Sequence, residues 1–184
     1  MLLADIMTSP PADREPSASI SPAQRSRPPL LLTAGRTSVV FTWHGDRWRH
    51  SVSIDGMPVA SSQEHTADSR DQSWPASPPL VELSPLETPN GPAILAVGLA
   101  GRSHYSASIV PHPVEPDTLL IEIACRLKET PGWLGSTYDA AGETVRVTAH
   151  VASIADLPAT VCWSYALSPA GIRALPPAAV ARCR

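Results

Sequence analysis

Between residues 119 and 128 every second side chain is apolar: Leu119, Ile121, Ile123, Cys125 and Leu127 share one parity, while Glu122, Arg126 and Lys128 lie on the other. A period of two marks a strand with one buried face, because successive side chains of an extended chain point to opposite sides. The pattern recurs along the chain. Val39, Phe41 and Trp43 alternate in residues 38–43, and Trp48, His50, Val52 and Ile54 oppose Arg47, Arg49, Ser51 and Ser53. Tyr105, Ala107 and Ile109 oppose His104, Ser106 and Ser108, and similar alternation fills 143–151 and 160–167. No segment sustains a 3.6-residue period, and there is no βαβ unit or internal repeat. The chain therefore reads as all-β, an antiparallel β-sandwich or small open barrel of eight or nine strands.

Turn residues punctuate this pattern. His44-Gly45-Asp46 and Asp55-Gly56 join the first three strands into a meander. Residues 93–100 are almost continuously apolar, as expected of a central strand covered on both faces. Residues 62–92 read as a long loop, with a short edge strand in 80–83. Proline dominates its middle, and each proline removes a backbone donor and extends its predecessor. Trp74 is expected to pack this loop back over the body, and a PxxP spacing at Pro75 and Pro78 is a weaker signal for binding a partner. Residues 131–142 form a second expected loop, which carries Trp133 and Tyr138.

By this reading residues 1–34 are a disordered leader rich in proline and serine, 35–168 the β domain, and 169–184 a tail with at most a helical turn in 170–175. A hydrophobic fraction of 43% against 17% charged residues gives the body enough apolar surface for a core.

Charge and motifs remove several function classes. A formal net charge of −3 gives no field to attract nucleic acid. No apolar run reaches the ~20 residues of a membrane span. P-loop, GxGxxG and GxSxG patterns are all missing, and six histidines at 44, 50, 65, 104, 112 and 150 show no HxH or HxxxH spacing. No catalytic residue, metal set or cofactor is assigned. Three cysteines at 125, 162 and 183 fit no disulfide framework, which favours free thiols in a reducing cytoplasm. Parity places Cys125 and Cys162 on different kinds of face, against a bond between them.

Five residues remain as candidate ligand contacts. His50 stands on an apolar strand face, where the ordinary expectation is a core histidine bonded to a neighbour and the sharper one is a ligand group in a cavity. His104 and Arg126 belong to polar faces that would form an anion-binding patch if their strands were adjacent. Trp74 and Trp133 are the tryptophans assigned to loops, where an exposed ring can serve as a recognition platform. The leading functional expectation is a non-enzymatic binding or interaction module for a protein or small polar ligand. The alternative is a small-molecule enzyme with a β-barrel pocket, using His50 or His104 as general base and Arg126 to hold an anion.

Overall fold

The computed structural model describes residues 27–64, 74–149 and 156–176, and every regular element among them is a strand. In chain order these are β1 (Leu30–Ala34), β2 (Thr37–His44), β3 (Arg47–Ile54), β4 (Met57–Ser62), β5 (Leu80–Thr88), β6 (Gly91–Ala100), β7 (Ser103–Pro111), β8 (Leu119–Leu127), β9 (Gly135–Ala140), β10 (Glu143–Thr148), β11 (Ala159–Ser168) and β12 (Gly171–Ala174). One antiparallel sheet holds them in the order β10-β9-β4-β3-β5-β6-β7-β8-β11-β12, with β2 also paired to β3 and β1 to β2. β10 returns beside β12, so the sheet curls into a nearly closed barrel. Its halves are β1, β2, β3, β4, β9, β10 and β5, β6, β7, β8, β11, β12, and they are joined where Trp48 of β3 pairs with Leu80 of β5. None of the described elements is a helix long and apolar enough to cross a membrane.

The alternating residues close over one core, in which Phe41, Ile109, Leu119, Leu127, Tyr138, Tyr165 and Leu167 are among the most buried side chains. Twelve strands exceed the eight or nine expected, and the additional ones lie where local signals compete. β1 begins at Leu30, inside the stretch read as leader. β5 runs its full nine residues through what reads as loop, and its Pro85 is accommodated because β3 pairs with β5 at Leu80 alone. β9 is buried over its first four residues, so it shows no alternation. β12, not a helical turn, occupies residues 171–174 and pairs with the end of β11.

Two glycines allow the close approaches that the closure requires. Gly35 turns β1 into β2 at φ 55°, with the Asp117 carboxylate lying where a side chain would stand. The Arg36 amide donates to Asp117 Oδ1 at 2.9 Å and its guanidinium to Oδ2 at 3.2 Å, tying this turn to the β7–β8 connection. On the inward side of β6, a Cβ at Gly98 would collide with the Pro79 carbonyl oxygen, so only glycine lets the chain entering β5 cross there.

β6 departs from expectation in a way that matters below. Its inward residues Ile94, Ala96 and Ala100 are buried, but Leu95, Val97 and Leu99 are 47%, 47% and 50% exposed, so the strand is covered on one face only. The cysteines also differ from expectation. Cys125 is free and buried, with its thiol pushed up to about 11 by that burial, whereas Cys162 is disulfide-bonded. The remaining cysteine of the chain, Cys183, lies outside the described residues. The premise of three free thiols, on which a reducing compartment was expected, therefore does not hold.

Candidate functional site

Two of the five candidate residues come together. β7 and β8 are neighbours, and their register sets His104 directly beside Arg126. β11 follows on the far side of β8 and sets Thr160 beside Arg126, whose Nη1 donates to Thr160 Oγ1 at 3.2 Å. Lys128 Nζ approaches His104 Nε2 at 3.4 Å. In the other direction His104 is beside Leu99 of β6, and Val97 beside Ser106. Val81 is the extra residue where the β5–β6 register shifts between Leu80 and Glu82.

The outer face of this half thus carries a groove of about 530 Å³ whose lining includes Val81, Val97, Leu99, His104, Arg126 and Thr160. Its floor is aliphatic along β5 and β6 and cationic toward β8. Among the described residues neither Arg126 nor Lys128 has a carboxylate partner, whereas Arg36, Arg47, Arg49 and Arg173 all do. An exposed aliphatic strip in the middle of a sheet is the kind of surface that marks an interaction site.

A second concavity, of about 340 Å³, lies on the other half and is lined by His44, Arg49, His50, Ser51, Ser62 and Glu64 among others. Its charges are matched internally, since Arg49 donates to Glu64 at 2.8 Å. It therefore holds less unspent electrostatic attraction than the outer groove.

His50 turns inward and takes the ordinary role. Its Nε2 lies 2.7 Å from the Tyr138 hydroxyl, which lies 2.8 Å from the Tyr165 hydroxyl. Tyr165 in turn bonds Ser136, and Ser136 accepts the Trp163 indole N–H at 3.0 Å. This chain of polar groups crosses the interior from β3 to β11. Burial lowers the His50 imidazole to about 4 and pushes the Tyr165 phenol up to about 12, so both are neutral near pH 7. Burial likewise pushes the Tyr138 phenol well above its ordinary range. His50 borders two spaces: the 340 Å³ concavity described above, and an inner cavity lined by Phe41, Ile109, Ile121 and Tyr165 that is only about 20 Å³, room for about one water.

Tyr138→Phe removes the hydroxyl that links half-buried His50 to buried Tyr165 and leaves each without that partner. It is expected to cost about 1–3 kcal/mol of stability in urea unfolding. A neutral substitution would show that the chain of hydrogen bonds contributes nothing net.

The two loop tryptophans differ in exposure, and Trp133 lines a groove of about 510 Å³ with Pro131, Leu134 and Thr148. Trp74 is buried in the core, and its neighbours Ala76 and Ser77 bond Glu64 and Thr137, so residues 74–79 strap across β9. Trp133 is half-buried, donates to the Ala76 carbonyl at 3.1 Å, and has Arg146 5.8 Å from its ring centre. His112 Nδ1 accepts from the Glu115 amide at 2.9 Å and shapes a turn. His65 and His150 lie outside the described residues, and among those described no three of His, Cys, Asp and Glu gather as metal ligands.

Sequence reasoning placed His104 and Arg126 on polar faces but missed the aliphatic floor, because an unbroken apolar run at 93–100 reads as buried on both sides. It also missed Tyr138 and Tyr165 as partners of His50, and only strand order could have shown that pairing. No protein-family profile, curated protein or solved structure matches the chain.

Proposed function

We propose that this protein is a non-enzymatic binding module whose recognition surface is the outer groove of β5, β6, β7, β8 and β11. The observation that carries this reading is the aliphatic strip of Leu95, Val97 and Leu99 beside two cations that lack carboxylate partners among the described residues. A ligand that pairs an acidic group with aliphatic carbon satisfies both parts. Its carboxylate meets the Arg126 guanidinium, which is shaped for two parallel hydrogen bonds, and its apolar portion covers the strip. The small size of the inner cavity beside His50 and the engagement of His50 with Tyr138 favour this reading over a barrel-pocket enzyme.

The anionic aromatic dye 8-anilinonaphthalene-1-sulfonate tests the surface, since it combines a sulfonate with a flat apolar body. Leu99→Lys and Arg126→Glu are each expected to weaken its binding by about tenfold, equivalent to ~1.4 kcal/mol. Thermal unfolding should shift little, because both side chains are exposed. Unchanged dye affinity in both variants would overturn the assignment.

A further inference from the structure

The outer groove has a candidate occupant within the chain itself. We infer that residues 2–7, which lie outside the described residues, dock in the groove and mask it. This inference rests on the reading of the groove as a binding surface.

Three observations support it. The first is where the described chain starts. Arg27 Nη1 donates to the Val81 carbonyl at 3.3 Å, and its guanidinium carbon lies 4.0 Å from the centre of the Trp43 ring. The first described residue is therefore anchored at Val81, which itself lines the groove.

The second is chemical match. Residues 2–7 read Leu-Leu-Ala-Asp-Ile-Met, which sets one carboxylate, Asp5, among four large apolar side chains. That is the acid-plus-aliphatic combination the groove asks for, with Asp5 complementary to Arg126 and Lys128, and Leu2, Leu3, Ile6 and Met7 to Val81, Leu95, Val97 and Leu99.

The third is reach. Residues 8–26 connect this segment to Arg27, and a chain of that length can span at most about 65 Å. From β5 to β11 the groove crosses four strand spacings, about 19 Å. The groove is therefore within reach of residues 2–7, and because the segment is joined to the body its docking is intramolecular.

The test uses the full-length chain and the same dye. Self-masking lowers apparent dye affinity in proportion to the fraction of closed grooves. The double substitution Leu3→Lys and Ile6→Lys is therefore expected to raise dye affinity about threefold. A synthetic peptide of residues 1–12, added to that double variant, is expected to displace the dye. Adding Leu99→Lys should abolish both effects. If the double variant binds dye no better than wild type and the peptide displaces none, while Leu99→Lys still weakens dye binding, the docking of residues 2–7 is overturned and the groove assignment stands. If Leu99→Lys also has no effect, both fall together.

Discussion

Trp163→Ala is expected to lower the free energy of unfolding by about 3–5 kcal/mol, enough to unfold a marginally stable domain. The indole is buried on β11, meets Tyr105 edge-on at a ring separation of 6.4 Å, and donates to Ser136 at 3.0 Å. Truncation removes a large apolar volume from the centre of the barrel and strips Ser136 of a donor at the same time. Two costs then add: the cavity, and the weakened anchoring of the polar chain through Tyr165 and Tyr138 to His50. Urea unfolding measures the loss as a fall in midpoint at constant slope. Trp133→Ala, at a half-buried site, serves as the comparison and should cost distinctly less. A loss below about 1 kcal/mol at Trp163 would mean that the core does not close around this side chain.

Acidification should destabilise the fold through His50 before the bulk of the carboxylates titrate. The imidazole is held at about 4 in the folded protein, below its ordinary 6.5, because burial disfavours the charged ring. Between these two values the unfolded chain takes up a proton that the folded chain refuses. Stability therefore falls as pH drops from 6.5 toward 4, and below that both states are protonated and the His50 contribution levels off. The ring is half-buried, so the expected loss is about 2–3 kcal/mol. His50→Gln keeps a polar group opposite Tyr138 but cannot titrate. Its unfolding free energy should be flatter than wild type across this window, and parallel curves would show that His50 is not the responsible group.

How much of this was legible beforehand depended on whether a residue's environment follows from its own strand. Phe41, Trp48, Val52, Ile121, Ile123 and Trp163 are buried as parity required, and His50 turned inward with them. Trp74 packs its strap back onto the body, as its place in a proline-rich stretch implied. Whether His104 and Arg126 meet depended on strand order, which parity cannot supply, and the structure answers by pairing β7 with β8. The hydroxyls that hold His50 lie 88 or more residues away in sequence, on β9 and β11. Tyr138 was hidden further because β9 is buried on both sides, which erases the alternation that identifies a strand. The exposed strip of β6 was misread for the opposite reason: it has the composition of a doubly covered strand without the second cover.

The β9–β10 hairpin leaves the end of β8, crosses to pair with β4, and the chain then returns to lay β11 against β8. The two halves of the barrel are thus laced together, and neither is a contiguous stretch of sequence. A backbone cut between residues 64 and 74 would leave one piece carrying β1 to β4 and another carrying β5 to β12. Each piece would present an edge that only the other can fill: β4 for β9, and β3 for the start of β5. The connectivity makes this chain a natural template for a split reporter, in which reassembly of two otherwise incomplete fragments restores one continuous sheet.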